Sequence, residues 1–399
     1  MQTAFLSGNI LLIICGLGIL QGILLSALIY FHPKSDHSVN KFLALFILGI
    51  TAVMTMPITM ELIGWKYFYI VQPINFLPGI FLYFYLLSFK KNITWKEALP
   101  HFIVPFLFIF LTYWNLKNFT ALYPGANIPP VEAMQRPSTL FISFARTAHQ
   151  VIYFFLARKT LNTYQQSIQH LFSNISRINL QWARFLVNGY LVLISTFVLI
   201  FPLILRFPDY FTSLLLLNMA VATPYIYIAT IKGVMQPTIW QLQTGINKKM
   251  VEEEMQEAEA IDQQNTRLEK PKPAKSAPAD NKIGDIAKSI IGLMENEKLY
   301  QETELTLQQL AEKLNIPSYQ VSLAINEGLN KNFYDLVNGY RVEEAKRLLA
   351  DPKNTNYTIL SVGFEAGFNS KTTFNTVFKK FTGLTPTEFR SRQNMPEPA

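Results

Sequence analysis

The first 31 residues of this 399-residue chain contain no charged side chain. As a helix, such a run is long enough to cross the ~30 Å hydrocarbon core of a bilayer. Six further apolar segments follow, at roughly 42–60, 67–89, 99–115, 138–157, 185–205 and 211–231. A water-soluble helical core is disfavoured because these segments have no polar face to turn toward water. We therefore predict a bundle of seven transmembrane helices within residues 1–240.

Positive charge distinguishes the loops between these segments. Counted along the chain, the odd-numbered loops carry nine Lys and Arg residues, and the even-numbered loops carry four. Because positively charged loops stay in the cytoplasm, we expect the N-terminus outside and the C-terminus inside. No positive residue precedes the first segment and no small-residue cleavage site follows it. It is therefore expected to remain as a signal anchor.

The segment 138–157 carries a stripe of polar side chains along one helical face. Its members are spaced by 4, 3, 4 and 3 residues, with one histidine beside them: Thr139, Ser143, Arg146, Gln150 and Tyr153, and His149. An arginine at mid-membrane costs about 2.5–3.5 kcal/mol on insertion scales, so it should face the bundle interior, a partner or a cavity. Two interpretations stay open. The stripe either anchors an anionic or polar ligand through Ser143, Arg146, His149, Gln150 and Tyr153, or forms a structural network with backbone carbonyls freed by prolines.

Residues 241–282 have the composition of a linker. The stretch 248–269 is acidic and helix-prone, and 270–281 is rich in Pro, Lys and Ala, as in flexible tethers. The acidic stretch can be written as a short heptad, which favours a homodimer, or as a single solvated helix. Both interpretations stay open.

Beyond the linker, the sequence predicts a helix, a tight turn and a second helix near residue 370. Gly367 is expected to stop the first helix, and Ser370 to cap the second. The second helix has one apolar face and a front of short polar and cationic groups; the apolar residues are Phe374, Val377, Phe378 and Phe381. A helix with such a front suits the major groove of DNA.

A similar unit precedes this one. Its first helix would bury Leu307, Leu310, Ala311 and Leu314, a turn would follow at Asn315-Ile316-Pro317, and a second helix would run from Ser318 to Glu327. A long helix from about Phe333 to Ala350 would join the two units. We therefore predict an all-α chain that ends in a domain of two helix–turn–helix units over residues 283–395. Such units can place their second helices in successive major grooves.

Several short motifs follow one another in a fixed order over residues 285–393. They are Leu305-Thr306-Leu307 with Leu310-Ala311, Tyr340-Arg341-Val342 with Ala345 and Leu348-Leu349, Gly367-Phe368-Asn369-Ser370, Phe374, Phe378-Lys379-Lys380, Gly383 and Thr385-Pro386-Thr387-Glu388-Phe389-Arg390. In order and spacing, this set resembles the AraC/XylS family of bacterial transcription regulators. The resemblance implies a double helix–turn–helix domain that binds specific DNA sequences and regulates transcription.

The whole arrangement is similar to the membrane-bound AraC-type regulators of the Bacteroidetes, in which several spans precede the DNA-binding domain. This resemblance implies a multi-pass protein of the bacterial inner (cytoplasmic) membrane, with a cytoplasmic C-terminal domain. We predict a one-component regulator in which the membrane helices sense an unknown small-molecule or lipid signal and control binding to double-stranded DNA. Two alternatives remain: spans that only anchor the regulator, and a transporter-like membrane domain fused to it.

The sequence departs from the family pattern in two places. Gly363 stands where the family usually has alanine, which is expected to lower helix stability by about 1 kcal/mol. Leu323 and Ala324 stand where a polar or basic residue is common, which weakens the case for base contacts by the first recognition helix.

The candidate DNA contacts follow from these positions. Lys371, Thr372, Asn375 and Thr376 are assigned to base edges because they lie toward the end of the helix that enters the groove. Lys379, Lys380, Arg390 and Arg392 are assigned to phosphates. Further candidates are Ser370 and Thr373 in the second unit and Ser318, Tyr319, Gln320, Ser322 and Asn326 in the first.

Motifs of catalysis are missing from the sequence. It contains no phosphate-binding glycine loop, no GxSxG motif and no His or Cys cluster with metal-ligand spacing. The single cysteine, Cys15, lies in an apolar run. We therefore expect no enzymatic activity, no metal and no cofactor, and DNA binding as the output.

Overall fold

The structure of the protein is a computed structural model that describes residues 2–32, 37–56, 72–122, 124, 134–175, 181–234 and 277–393. Over these ranges the chain is helical and forms no β-strand, in agreement with the all-α prediction. Two compact units are present. The first spans Met1–Thr163 and Leu180–Gly245, and the second spans Tyr164–Asn179 and Ile246–Ala399. The predicted heptad stretch, 248–269, lies outside the described residues.

Eight α-helices supply the described part of the first unit. They are α1 Gln2–Phe31, α2 His37–Met54, α3 Leu77–Leu87, α4 Trp95–Ala98, α5 Ile103–Leu122, α6 Pro137–Leu171, α7 Gln181–Arg206 and α8 Phe211–Val234. Phe46 of α2 and Tyr85 of α3 are fully buried in the core. Between α7 and α8, the Tyr225 hydroxyl donates to the Leu186 carbonyl at 2.7 Å.

Five of these helical segments are long and apolar enough to cross a membrane. They are His37–Met54, Trp95–Leu122, Pro137–Leu171, Gln181–Arg206 and Ser213–Lys232. Shorter apolar helices, Gly16–Phe31 and Gln72–Leu87, occupy the positions of the first and third predicted spans. The described residues therefore yield five candidates by length and composition, where the sequence predicted seven. The third is short because its described part begins only at Gln72, as a 3-10 turn over Gln72–Phe76 that contains Pro73.

Seven α-helices form the described remainder of the second unit. They are α9 Ala277–Asn296, α10 Leu307–Leu314, α11 Ser318–Leu323, α12 Phe333–Ala350, α13 Ile359–Glu365, α14 Lys371–Thr382 and α15 Pro386–Gln393. One core surrounds Leu310 and Val321, and another surrounds Phe374 and Phe378. Helix α12 contributes to both cores, through Val337 and then Val342, so it joins the two helix–turn–helix units as predicted.

Helix α9 begins at Ala277, inside the stretch predicted to be linker. Pro278 is compatible with this start because the first turn of a helix needs no backbone donor. Ile290 and Met294 of α9 are fully buried in the core of the first helix–turn–helix unit. Helix α9 therefore packs with the helices of the first helix–turn–helix unit.

Candidate nucleic-acid interface and ligand cavity

Helix α14 is fixed by its N-cap residue and by its apolar face. The Ser370 hydroxyl accepts a hydrogen bond from the Thr373 amide at 3.1 Å, which is the predicted N-cap. Phe374, Val377 and Phe378 are buried, as predicted. Phe381 differs, because it is 40% exposed one turn beyond the edge of the core. The turn before α14 requires glycine, since Gly367 has φ +95° and an added Cβ would lie 2.6 Å from the Tyr300 carbonyl oxygen.

The opposite face of α14 is open to solvent. Lys371, Thr372, Thr376 and Lys379 are exposed, and Asn375 is half-buried beside them. The Thr373 hydroxyl accepts a hydrogen bond from Ser370 at 2.9 Å, so it belongs to the cap. The structure therefore presents the four residues assigned to base edges on one short helix whose back is held by the core.

Two of the predicted phosphate ligands are engaged within the protein. Lys380 Nζ lies 2.6 Å from Asp335 Oδ1, which offsets its charge. Arg390 is half-buried, and its Nη1 donates to the Tyr357 carbonyl at 2.6 Å. Lys379 and Arg392 are exposed.

Glu388 lies close in sequence to these cationic residues, and its role is structural. Glu388 accepts a hydrogen bond from the Thr385 amide at 2.7 Å, at the start of α15. This backbone bond, followed by that to the Thr385 hydroxyl, lowers the pKa of Glu388. Thr385, Pro386 and Glu388 therefore form the capped start of a helix, which gives the family motif a physical reason.

The first recognition helix is shorter and less polar. Helix α11 ends at Leu323 and continues as one π-helical turn, Ala324–Gly328. Ala324 is fully buried, so a polar side chain there would enter the core and not the groove. This burial accounts for Ala324, whereas Leu323 beside it is half-buried.

The polar candidates of this first unit bond to one another. Gln320 Nε2 donates to the Tyr319 hydroxyl at 3.0 Å, and Asn326 Nδ2 lies 3.4 Å from the Ser322 hydroxyl. Tyr319 and Asn326 are exposed, and Ser318 is half-buried at the start of the helix. The two units thus differ in the groups that they offer.

Gly363 allows the two helices of the second unit to approach. A Cβ atom at this position would lie 2.5 Å from a ring carbon of Phe374. The Phe374 ring is itself fully buried against Phe368 and Phe378, at centroid distances of 5.0 and 5.6 Å. The predicted cost of glycine in the helix is therefore offset by close packing that alanine would prevent.

A segment far away in the sequence packs into the second unit, and sequence reasoning missed it. Leu171, the last residue of α6, is buried in the core of the first helix–turn–helix unit. The Ser173 amide and hydroxyl both donate to the Leu305 carbonyl, at 3.2 and 2.6 Å. Ile175 packs against the core of the second helix–turn–helix unit. Residues 171–175 thus contact both halves of the domain.

Arg341 of α12 gathers the groups around this segment. It is 1% exposed, and its guanidinium donates to the carbonyls of Tyr300 and Glu302, both at 2.7 Å. Longer contacts of 3.3 and 3.4 Å reach the hydroxyl and carbonyl of Ser173. Burial lowers the pKa of Arg341 to about 10, so the group stays charged at neutral pH. Backbone oxygens therefore hold a buried cation.

Within the first unit, the predicted polar stripe faces inward. Ser143, Arg146 and Gln150 line a cavity of about 160 Å³. Arg146 is 6% exposed and its guanidinium lies 4.5 Å from the centre of the Phe197 ring. The wall also includes Thr139 of the same stripe.

Gln150 fits the structural interpretation, in which the stripe bonds to backbone carbonyls that prolines leave free. Its Nε2 donates to the Asn75 carbonyl at 3.1 Å. In a 3-10 turn that carbonyl would accept from the residue three positions on, which is Pro78 and has no N–H. The proline explanation therefore fits Gln150, whereas it does not account for Arg146.

His149 and Tyr153 are buried but do not line this cavity. The Tyr153 hydroxyl lies 2.6 Å from His101 Nδ1, and its ring lies 4.6 Å from that of His149. The Phe76 ring lies 5.0 Å from that of His149. These two predicted ligand residues thus belong to a separate aromatic cluster. Over the ranges that the structure describes, no three His, Cys, Asp or Glu residues form a group able to hold a metal ion.

Comparison with known proteins bears on the second unit. A family profile described as a helix-turn-helix domain matches residues 310–392. An HTH-type transcriptional regulator of Staphylococcus aureus (strain COL), described as uncharacterised, is 31% identical over 93 residues, which are 23% of this chain and 12% of the relative. The HTH-type transcriptional regulator YtdP of Bacillus subtilis (strain 168) is 27% identical over 118 residues, which are 30% of this chain and 14% of the relative.

The chain spans only about an eighth of the length of these relatives. No solved structure matches it significantly. The profile match and the two helix–turn–helix units joined by α12 cover the same residues. Residues 310–392 are therefore a helix–turn–helix domain of the AraC type.

Proposed function

We propose that this protein is a membrane-embedded, one-component transcriptional regulator of the bacterial inner membrane. Its cytoplasmic C-terminal domain binds specific double-stranded DNA sequences, and its membrane helices sense the signal that controls this binding. The observation that carries the proposal is the helix–turn–helix domain over residues 310–392, preceded by helices of membrane-spanning length. The proposal assigns the output to DNA binding and not to catalysis.

The exposed face of α14 supports sequence-specific DNA binding. Lys371, Thr372, Asn375 and Thr376 supply amide, hydroxyl and ammonium groups near the N-terminus of a helix that is held rigidly from behind. Amide and ammonium groups at such positions can read base edges in the major groove. Lys379 and Arg392 add exposed charge for phosphates.

The surface of the first unit supports a membrane location. Large apolar side chains stand exposed along several helices, among them Phe106 and Phe110 of α5, Phe144 of α6 and Leu199 of α7. Water would penalise so many exposed apolar groups, whereas a bilayer would not. Together with the nine-to-four excess of Lys and Arg in the odd-numbered loops, this supports a cytoplasmic C-terminus.

Helix α6 supports control of the second unit by the first. Arg146 on this helix lines the cavity of the first unit, and Leu171 at its end is buried in the second unit. A ligand that moves or stiffens α6 acts on an element that both units share. This arrangement favours a sensor over spans that serve only as an anchor.

Specific DNA binding is tested with the full chain in detergent and an operator selected from random DNA. Lys371→Ala or Asn375→Ala should lose about 1–3 kcal/mol of discrimination between operator and random DNA. Lys379→Ala should weaken both alike and lower the salt slope by about 1. The control is Lys288→Ala, an exposed lysine of α9, which should change neither quantity. Equal loss for all three lysine variants would refute the assignment.

Topology is tested separately with alkaline phosphatase fusions. A fusion after Lys232 should be inactive because it stays in the cytoplasm, whereas a fusion near Ala126 should be active. Activity after Lys232 would place the helix–turn–helix domain away from DNA and overturn the proposal.

A further inference from the structure

The cavity in the first unit combines one buried charge with an apolar wall. Arg146 is the sole Lys, Arg, His, Asp or Glu among its described lining residues. No described residue accepts a hydrogen bond from the Arg146 guanidinium, which lies over the face of the Phe197 ring. A buried cation without a carboxylate or hydrogen-bond acceptor is costly, so the site favours an anion that supplies both.

Two further groups point to the same conclusion. The Tyr190 hydroxyl and Asn218 Nδ2 both line the cavity, and both are buried without a hydrogen-bond partner among the described residues. With the guanidinium they make three groups that can donate hydrogen bonds. Three such groups and no acidic side chain suit an oxyanion, which accepts several hydrogen bonds at once.

The size and the wall of the cavity restrict the rest of the ligand. Ile194, Phe201 and Met219 are among the apolar side chains that line it. A cavity of about 150 Å³ lined by such residues is known to admit a benzene ring, and this one measures about 160 Å³. The single arginine balances one negative charge, whereas a phosphate monoester carries about −1.5 to −2 at neutral pH.

We propose that this cavity binds a monocarboxylate whose apolar body is about the size of a benzene ring, with its carboxylate on Arg146, Tyr190 and Asn218. The inference rests on the proposed function and names the ligand class of its sensor. A short-chain or aryl carboxylate fits these requirements. A neutral alcohol leaves the arginine unpaired, and an inorganic anion leaves the apolar wall unused.

The test uses the full chain in a nonionic detergent and isothermal titration with phenylacetate and octanoate. 2-Phenylethanol serves as the uncharged analogue and phenyl phosphate as the more highly charged one. At least one of the two carboxylates should bind saturably, and both analogues should bind at least tenfold more weakly. Absence of saturable binding by both acids, or equal binding of phenylacetate and 2-phenylethanol, would overturn the proposal. This comparison needs only the native protein.

Substitutions then locate the site. Arg146→Gln should weaken carboxylate binding about tenfold to a hundredfold, because a charge-assisted hydrogen bond is lost. Arg158→Gln removes the same charge from an exposed position of α6 and should leave binding unchanged. Unchanged affinity in a folded Arg146→Gln protein would refute the assignment. If that protein does not fold, Asn218→Leu should weaken phenylacetate binding severalfold while leaving 2-phenylethanol unaffected, and unchanged phenylacetate affinity would count against the site.

Failure of this inference and failure of the proposed function are distinguishable. If the protein binds phenylacetate but not DNA, the ligand site stands and the proposed regulatory function fails. A protein that binds its operator but neither acid remains a regulator with a different signal.

Discussion

Replacing Arg341 with methionine should destabilise the second unit more than any surface change on the same helix. The guanidinium donates to the Tyr300 and Glu302 carbonyls at 2.7 Å, and it is 1% exposed. Methionine would fill much of the volume but would leave the buried Tyr300 carbonyl without a donor, whereas the Glu302 carbonyl keeps the Leu305 amide at 3.3 Å. A buried polar group left unsatisfied costs about 1–3 kcal/mol, and the lost bond to Glu302 adds about 1 kcal/mol, so the two together give about 2–4 kcal/mol.

An opposing effect reduces this value. Burial of the Arg341 guanidinium is itself unfavourable, as the lowering of its pKa to about 10 by desolvation indicates. Removing the charge relieves that penalty, and buried ionic groups replaced by apolar ones sometimes gain stability. Here the Tyr300 carbonyl stays buried after the substitution, so the loss should prevail. We expect a net destabilisation in the lower half of the range, about 2–3 kcal/mol.

The measurement is amide hydrogen exchange of the full chain in detergent, followed by mass spectrometry. For amides of α10 and α12 that exchange by opening of the unit, about 2–3 kcal/mol corresponds to roughly 30-fold to 160-fold faster exchange. The control is Lys346→Met on the same helix, whose ion pair with the exposed Glu343 contributes about 0–1 kcal/mol. Exchange within threefold of the native rate, or an equal effect of Lys346→Met, would refute the reasoning.

Three further outcomes are expected. Gly363→Ala should lower the free energy of unfolding of the second unit by about 1–3 kcal/mol. Gly292→Ala should raise it by up to about 1 kcal/mol, because the atom nearest to an added Cβ at that position is 3.8 Å away. Thermal unfolding measures both changes. The hydrogen bond from Arg347 lowers the pKa of the Glu344 carboxyl in the folded unit. The ionised carboxylate therefore stabilises the folded unit at pH values above the ordinary pKa of 4.5. This stabilisation is lost as the pH falls through the lower pKa of the folded state. Glu344→Gln should therefore flatten the acid side of the stability profile in hydrogen exchange. In a salt titration of DNA binding, Lys380→Ala should reduce the slope less than Lys379→Ala, because Asp335 already offsets the charge of Lys380.

Local signals in the sequence predicted the helix–turn–helix domain well. Ser370 caps α14, Gly367 ends the preceding helix, and Phe333–Ala350 forms one joining helix. Each of these depends on neighbours within a few residues, which is the range over which capping and periodicity act. The candidate DNA contacts on α14 stay a prediction, although the structure leaves most of them exposed.

Contacts between distant residues were not predictable in the same way. Ser173 lies 168 positions from Arg341, and nothing in its own neighbourhood indicates that it meets a buried guanidinium. Gly363 reads as a weak helix residue until the Phe374 ring is found against it. The stripe on α6 was predicted as one face, but its residues divide between a cavity and an aromatic cluster because the surrounding helices decide what each one meets.

The packing of residues 171–175 in the second unit bears on how a signal would reach the DNA-binding helix. The linker composition by itself favours control through proximity, since a flexible tether cannot transmit a rotation. The structure adds a second covalent route, in which α6 ends at Leu171 and the next residues bond to Leu305, Asn338 and Arg341. Arg341 in turn packs against the turn at Gly367, where an added Cβ would lie 3.2 Å from its Nε. Three residues later Ser370 caps α14, so packed groups connect residues 171–175 to the recognition helix within the second unit. A double-mutant cycle in operator binding measures the energetic coupling between Ser173 and Arg341. A coupling energy different from zero would support this route, whereas additive effects would show only that the two residues are in contact.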